Sequence, residues 1–462
     1  MLPGRSLLAG LLVSASVVMA AGNECVGGGD STAATVAFPG AEGFGALTRG
    51  GRGGRVLLVE SLADDPGSPQ PGTLRWACGQ SGSRIVVFRV GGLIELFKTL
   101  SITEPGITIA AQTAPGGGIC LAGSPLSIET SQVIVRGLRT RPGDGPRGAT
   151  GQLRRALQII GGVSDVIVDH CSLSWHVDEG LTVYADKEGN APSNVTVQWC
   201  LIAEGLSHSI HQQGDHSCAI CLGGGNVDRF SLHHNLLAHN GARNPRIVWG
   251  ARGELVNNVI YDWLNQAAIV QPFNPVKIKR EKRHPAEMHG AELNIVGNEW
   301  LRGGNSDNGP AILLKMPTPE TRLYLHDNVG PGRPAGTPSG ERELAIVEAT
   351  GRRSDREKYL SDQRPALEAS GITTHEVGAV REAVLAGVGA LQPERDAADR
   401  RVVDDVRKGT GRIIDSPADV GGYPAYAPGQ PPADRDRDGM PDAWEQAHGL
   451  DPATPDANGH RL

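Results

Sequence analysis

The stretch FSLHHNLLAHNGARNPRIVW, from Phe230 to Trp249, decides the fold because a strand, a corner and a stiff turn follow one another in it. Alternating apolar residues at its start predict a short strand that turns at Asn235. Arg243 comes eight residues later, and Pro245 fixes its own φ and favours an extended residue before it. Arg243 and Arg246 are therefore predicted to lie on a rigid segment and to form an anion site.

The pattern of a strand that ends at a corner recurs along the chain. Its corner residues follow one another at intervals of 23 to 40 residues: Cys171, Cys200, Asn235, Asn258, Asn298 and Asn328. Repeats of this length, with β-branched alternation and little helical periodicity, are typical of a β-solenoid. The sequence predicts an all-β fold, a right-handed parallel β-helix, in which corner asparagines bond one another and unequal loops carry function.

The chain is predicted to have five segments. Residues 1–21 combine Arg5 with an apolar run and a small-residue end, which is typical of a signal peptide, so we expect a secreted or periplasmic protein without a membrane partner. The run is too short to span a bilayer. We assign residues 22–330 to the β-helix, 331–420 to a mixed C-terminal extension, 421–433 to a Pro/Gly linker and 434–462 to a tail whose early end leaves truncation open.

Composition and charge limit the kinds of partner that the protein can have. The chain has 63 glycines and 31 prolines among its 462 residues, which indicates many turns, and its seven cysteines are too few to build a disulfide fold. A net charge of −7 argues against a nucleic-acid partner, so an acidic substrate has to meet a local basic cluster. The run KIKREKR at residues 277–283 is such a cluster, although charge runs are more often solvated faces. We expect a monomer.

The corners also predict which side chains share a face. Residues eight past successive corners are Glu179, His208 and Arg243, and residues eleven past are His211 and Arg246. If the coils stack in register, these side chains form two neighbouring rows, with Asp178 beside Glu179 at the acidic end. Carboxylates at one end and arginines at the other predict a site for a metal-bridged acidic ligand. A solvated strip of mixed charge is the alternative.

Four long motifs carry a resemblance to a known family. In chain order they are FPGAEGFGALTRGGRGG (38–54), ITIAAQTAPGGGIC (107–120), VIVDHCSLSWHVDE (166–179) and HHNLLAHNGARNPR (233–246). Together they resemble the pectate lyase family, which folds as a right-handed parallel β-helix. The resemblance implies a calcium-dependent polysaccharide lyase that cleaves pectate, a polygalacturonate, by β-elimination.

The resemblance places Arg243 where the family has the arginine that acts as the base. We expect Asp178 and Glu179 to bind the catalytic Ca²⁺, and the residues expected to contact the substrate are Arg246, His208, His211, Lys277 and Lys279. Three positions depart from the family's pattern. Arg155 replaces a calcium-binding aspartate, Cys218 replaces a substrate-binding lysine, and Val183 replaces a further acid.

The tail holds a second candidate metal site, DRDRDGMPDAWE at residues 434–445. Oxygen ligands fall at positions 1, 3, 5, 9 and 12 of an EF-hand-like loop: Asp434, Asp436, Asp438, Asp442 and Glu445. Gly439 stands at position 6, where the loop turns sharply. The tail is therefore predicted to bind Ca²⁺, with a solvated acidic linker as the alternative.

Two other functions stay open from the residues alone. A glycoside hydrolase on the same fold would need two carboxylates that flank the bond, and the row of Arg243 offers no aspartate pair. A non-catalytic carbohydrate-binding β-helix protein is the other alternative, which the departures at Arg155 and Cys218 keep open.

Overall fold

Three parallel sheets form the walls of a β-helix, and successive coils add one strand to each sheet in turn. The computed structural model describes residues 35–272, 289–337, 343–350, 353–365, 367, 370–455 and 457. The predicted signal peptide, Lys277 and Lys279 lie outside these residues. The predicted all-β parallel β-helix is confirmed, because every strand pairing within the three sheets is parallel.

In the described residues, the first sheet holds ten strands: β1 (Arg55–Val59), β2 (Arg84–Phe88), β5 (Ile107–Ala110), β8 (Val133–Arg136), β11 (Ser164–Asp169), β14 (Ser193–Gln198), β17 (Asp228–His233), β20 (Arg252–Val256), β23 (Glu292–Val296) and β26 (Arg322–His326). The second sheet is formed by β3 (Gly92–Glu95), β6 (Ile119–Ala122), β9 (Arg139–Thr140), β12 (Ser172–Ser174), β15 (Leu201–Ala203), β18 (Leu236–Ala238), β21 (Val259–Tyr261) and β24 (Glu299–Leu301). The third is formed by β4 (Leu100–Ile102), β7 (Leu126–Ile128), β10 (Leu157–Ile160), β13 (Glu179–Tyr184), β16 (Cys218–Gly223), β19 (Arg246–Val248), β22 (Ala268–Gln271), β25 (Ile312–Leu314) and β27 (Val347–Ala349). The described α-helices are α1 (Leu74–Cys78), α2 (Val377–Gly387), α3 (Ala397–Lys408) and α4 (Asp442–Ala447).

The corner asparagines form the predicted ladder between the first and second sheets. The Nδ2 of Asn235 donates to Oδ1 of Asn258 at 3.0 Å, and the same bond links Asn258 to Asn298 at 2.9 Å and Asn298 to Asn328 at 3.0 Å. Glu343 ends the ladder by accepting from Nδ2 of Asn328 at 2.7 Å. All four asparagines are buried, so the ladder satisfies polar groups that water does not reach. The six described cysteines are free thiols, including the two at corners.

The residue before each corner bends the chain, since all six have a positive φ between 49° and 62°: His170, Trp199, His234, Asn257, Gly297 and Asp327. Histidine and tryptophan rarely adopt this conformation, so their strain has to be offset by packing. The ring of Trp199 stacks on that of His234 with centroids 4.4 Å apart. This stack supplies part of that packing outside the corner.

The glycine-rich segment near the start of the chain runs against the outer face of the first sheet. The backbone N–H of Gly45 donates to Oγ1 of Thr196 at 2.8 Å. A Cβ atom at Gly45 would come within 2.5 Å of the Val166 carbonyl oxygen, and one at Gly51 within 1.9 Å of the Arg84 carbonyl oxygen. Only glycine permits this close approach of two backbones.

The helices of the C-terminal extension cover the outer face of the second sheet. An apolar cluster joins strand residues to helix residues: Leu201, Leu236 and Val259 with Val380, Val384, Leu385, Val402, Val403 and Val406. The side chain of Arg141 is fully buried and bonds Asp396 and Asp399 at the start of α3, at 2.6 and 2.7 Å. The helices therefore shield the side of the β-helix. The third sheet continues to β27, beyond residue 330.

After α3 the chain returns to the first coils. The hydroxyl of Tyr423 donates to the Arg141 carbonyl oxygen at 2.6 Å, and the Arg141 guanidinium donates to the hydroxyl oxygen of Tyr426 at 2.5 Å. Further on, Asp434 pairs with Arg89 next to β2. The segment between α3 and α4 thus packs along the β-helix. Of the helices that the structure describes, none has the length and apolarity needed to cross a bilayer.

Candidate active site

A cleft of about 490 Å³ lies on the outer face of the third sheet. Its floor is formed by side chains of β10, β13, β16 and β19, and one wall by the turn at Gly151–Leu153. The loop of residues 204–217, which contributes His211, Gln213 and His216 to the cleft, packs against this turn. Loops of unequal length are predicted to carry function on this scaffold, and these two loops border a concave charged surface.

The structure brings Glu179 and Arg243 together across one intervening coil. Glu179 of β13 is in register with Cys218 of β16, which bridges in turn to Ala242. Arg243, the next residue, donates from Nη1 to Oε1 of Glu179 at 2.5 Å. Its backbone has a φ of +60°, an unfavourable conformation for arginine that turns the chain three residues before β19 begins. Strand register and this bend therefore place the base predicted from the resemblance beside the predicted acid.

His208 does not share this row. Its imidazole lies 3.0 Å from Asp215 and 3.3 Å from Asp415, and 68% of its side chain is exposed, outside the cleft. The count from the corner at Cys200 fails because the loop of residues 204–217 leaves the coil before β16 begins, so Cys218 takes the place between Glu179 and Ala242. His211 of the same loop does line the cleft, and its contact with the substrate stays a prediction.

Arginine binds both predicted calcium ligands. Arg155 forms an ion pair with Oδ2 of Asp178 through Nη2, and its Nε donates to Oε2 of Glu179 at 3.0 Å. The other Asp178 oxygen lies 3.0 Å from Nε2 of His216, and the other Glu179 oxygen accepts from Arg243. All four carboxylate oxygens therefore have a partner. Arg155 could be identified in the sequence as a departure from the family's pattern, but no sequence feature indicated that His216 would contact Asp178.

These contacts set the charge states in the cleft. Burial alone would raise the pKa of Asp178, but the hydrogen bond from His216 and the charge of Arg155 lower it below its usual value. Burial would lower the pKa of Arg243, but its acidic neighbours outweigh burial and raise that pKa. Burial also raises the pKa of the Cys218 thiol, which is therefore neutral. Burial and the charge of Asp178 raise the pKa of Glu179 as well, but its two oxygens accept from Arg155 and Arg243, which hold it as a carboxylate and make it the main source of the effect on Arg243. Arg243 is fully protonated at neutral pH.

The donor set at Asp178 and Glu179 does not fit Ca²⁺, which takes six to eight oxygen ligands. Guanidinium groups engage three of the four oxygens and His216 engages the fourth, and the nearest group of candidate metal ligands joins Asp178 to the nitrogens of His211 and His216. Burial, then His216, lowers the pKa of His211, so its ring is neutral. Because Nδ1 of His211 accepts from the Gln213 backbone N–H at 3.1 Å, the ring proton is on Nε2, which faces Asp178 and has no lone pair for a metal.

Arg246 lies at the far end of the cleft on β19, in register with Cys221. Its Nη2 donates to Oε1 of Gln271 at 2.7 Å. Val183, the third departure from the family's pattern, is fully buried in the core, so no cleft contact is lost at this position. The cleft thus presents three guanidinium groups, from Arg155, Arg243 and Arg246, against two carboxylates.

The tail loop offers oxygen ligands only. Carboxylate oxygens of Asp434, Asp436 and Asp438 all lie within 4.8 Å of one another. Oδ1 of Asp434 and Oδ2 of Asp436 are buried without a hydrogen-bond partner in the described residues. Buried carboxylate oxygens of this kind fit a hard cation such as Ca²⁺. Asp442 and Glu445 lie on α4, and Glu445 is fully buried.

Comparison with curated proteins finds close relatives over nearly the whole chain. A probable pectate lyase C of Aspergillus flavus is 33% identical over 432 residues, which cover 92% of this chain and 90% of the relative. A probable pectate lyase C of Aspergillus terreus is 33% identical over 442 residues, covering 92% and 91%. No protein-family model matches the chain.

Solved structures show the same fold. The major cedar pollen allergen Jun a 1 superposes with a TM-score of 0.54 at 17% identity, covering 76% of this chain and 92% of the allergen. A pectate lyase of Bacillus subtilis gives a TM-score of 0.51 at 13% identity, covering 78% and 99%. A pectate lyase bound to a hexasaccharide gives the same score and identity. At these identities the likeness establishes the fold alone.

Proposed function

Because the chain belongs to the pectate lyase family, we propose that it cleaves pectate by β-elimination in the cleft on the third sheet. The observation that carries the proposal is the pair formed by Arg243 and Glu179 inside a cleft with two further arginines. A polyuronate carries one carboxylate per sugar, and guanidinium groups pair with carboxylates through charge-assisted hydrogen bonds. The overall negative charge of the protein makes this local basic surface necessary.

In the proposed reaction, Arg243 takes the proton from C5 of a galacturonate. The electrons of the broken C5–H bond form a double bond between C4 and C5, and the C4–O bond breaks. The leaving oxygen then takes a proton from solvent. Charge that develops at C5 spreads into the neighbouring carboxylate, so a cation at that carboxylate stabilises the transition state. Arg246 at the end of the cleft is proposed to bind a second uronate carboxylate.

Arg243 has to lose its own proton before it can act as a base. Its pairing with Glu179 raises its pKa, so the free base is scarce at neutral pH. We therefore infer an enzyme that works best under alkaline conditions.

Calcium enters the proposal at the tail loop, where Asp434, Asp436 and Asp438 supply the oxygen-rich donors that the ion prefers. We also propose that the protein is exported through its signal peptide and is a monomer. A hydrolase is less well supported, because the two acids of the cleft are adjacent in the chain and both are held by Arg155.

One assay distinguishes the three functions. A lyase acting on pectate creates a conjugated 4,5-unsaturated uronate, so ultraviolet absorbance should rise together with new reducing ends. New reducing ends without that absorbance would identify a hydrolase. Binding of polygalacturonate without either product would identify a carbohydrate-binding protein. The matched control is Arg243→Ala, in which the absorbance change should disappear while circular dichroism stays that of the parent.

A further inference from the structure

We propose that the guanidinium of Arg155 is the fixed cation of the cleft and receives a uronate carboxylate in place of the calcium ion expected at Asp178 and Glu179. The inference rests on the proposed function for its substrate class. It follows from the disagreement between the calcium-binding role expected of the two acids and the contacts that they make.

The geometry points to a cation held by protein groups. Arg155 uses Nη2 for Asp178 and Nε for Glu179, so both acids orient one guanidinium. In the described residues, Nη1 of Arg155 has no acceptor, and the side chain, 24% exposed, lines the cleft. One edge of the guanidinium is thus fixed by the protein while the other can face a ligand.

The local charge balance excludes a second strong cation at this place. Two carboxylates, Asp178 and Glu179, face two guanidinium groups, Arg155 and Arg243, so their formal charges cancel. A divalent ion would have to displace an arginine from each acid and leave that arginine partly buried without its partner. Breaking such a buried pair is strongly unfavourable.

A guanidinium can do the electrostatic work that the family assigns to calcium. It is charged at neutral pH, and it donates two hydrogen bonds to a carboxylate with fixed geometry. The acids beside Arg155 outweigh burial and raise its pKa further. The cation of this cleft is therefore permanent, and its presence does not depend on the calcium concentration.

The first test uses the full-length chain and initial rates on polygalacturonate, with excess EGTA or with added Ca²⁺. We expect the parent to work in both. Arg155→Asp should lose roughly ten- to a hundredfold in EGTA, the size of a lost charge-assisted hydrogen bond, and recover with calcium. Arg147→Asp is the matched control, because Arg147 pairs with Glu95 outside the cleft. Circular dichroism checks the fold of each variant.

Two results would overturn the inference. One is a folded parent whose activity is lost in EGTA and returns with calcium. The other is Arg155→Asp that keeps the parent's rate in EGTA. Either result leaves the proposed β-elimination itself intact.

A second measurement does not depend on turnover. Calcium binding is measured by calorimetry in chains that carry Asp434→Asn and Asp436→Asn, so that the tail loop is silent. The chain with Arg155 should bind no calcium, and addition of Arg155→Asp should create one site that Glu179→Gln removes. Calcium binding that persists with Arg155 in place and disappears with Glu179→Gln would refute the inference even if pectate proved not to be the substrate.

Discussion

Arg243 and Glu179 lie 64 positions apart in sequence and join as an ion pair, Nη1 to Oε1 at 2.5 Å, across the coil that carries Cys218. Strand register alone brings their backbones near each other, and the positive φ of Arg243 turns its side chain toward the acid. The same contact that positions the proposed base also keeps it protonated. The ion pair with Glu179 therefore holds Arg243 in place but makes it a weaker base in the resting protein.

Glu179→Gln should shift the pH profile of kcat to lower pH. The charge of Glu179 raises the pKa of Arg243, so the unprotonated base forms only at high pH. Removal of that charge lowers the pKa of Arg243, so the unprotonated base forms at a lower pH. The measurement is kcat against pH under saturating pectate. Glu95→Gln, which removes a surface charge outside the cleft, should leave the profile in place. An unshifted alkaline limb in Glu179→Gln would mean that Arg243 is not the titrating base.

Arg243→Lys and Arg246→Lys should act on different kinetic constants. Lysine keeps the charge of Arg243 but changes its reach, so kcat should fall about a hundredfold or more, the usual contribution of a general base, with little change in KM. Arg246→Lys should mainly raise KM, because it weakens binding that is common to ground and transition states. Steady-state kinetics with the fold checked by circular dichroism decides. Near-parental kcat in Arg243→Lys would reject the base assignment.

Much of the fold could be predicted from the sequence, because the signals that define a coil are local. Alternation has a period of two in a strand, and a corner asparagine is chemically distinctive, so Asn235, Asn258 and their counterparts could be identified one by one. The ladder then set the register, which brought Glu179 and Arg243 to one face. Positions that depend on strand pairing were therefore predictable.

Positions on long loops could not be predicted from the sequence. His208 and His211 belong to one loop, and counting from the corner treated them alike, but only His211 faces the cleft. The path of a loop depends on its contacts, such as that of His208 with Asp415 near the far end of the chain, and these have no periodicity. The role of Arg155 needed the same information, since a departure from a family's pattern gives no sign of which acids the new side chain will bind.

Asn258→Ala should destabilise the β-helix strongly. The side chain accepts from the Asn235 backbone N–H and donates to the Leu232 carbonyl oxygen and to Asn298, all within the buried interior. Alanine leaves these groups without partners, and each buried unsatisfied group costs about 1–3 kcal/mol. We expect a loss of several degrees or more in Tm. Asn190→Ala, in an exposed turn, is the control and should change Tm little. Equal Tm values for both variants would show that the ladder does not contribute to stability.

The tail loop should couple calcium to thermal stability without controlling catalysis. Asp434 is a proposed ligand of the ion and also pairs with Arg89 of the first coils, whose Nη1 lies 3.3 Å from the Asp434 carboxylate. In the same loop, Arg437 pairs with Glu60 at 2.8 Å. An ion that binds only the folded chain stabilises it by about 2.7 kcal/mol at a hundred times its dissociation constant. Calcium should therefore raise the Tm of the parent by several degrees.

Asp434→Asn with Asp436→Asn should abolish this calcium-dependent rise, and Asp451→Asn, outside the loop, should preserve it. Removal of residues 434–462 should lower Tm because the contacts with Arg89 and Glu60 are lost, yet specific activity should stay within a few-fold of the parent, since the tail docks on the first coils and not on the third-sheet cleft. Differential scanning calorimetry and initial rates below the transition measure both effects. Complete loss of turnover in the folded truncated chain would show that the tail takes part in catalysis. A parent Tm that does not change when calcium is added would show that the loop binds no structural ion.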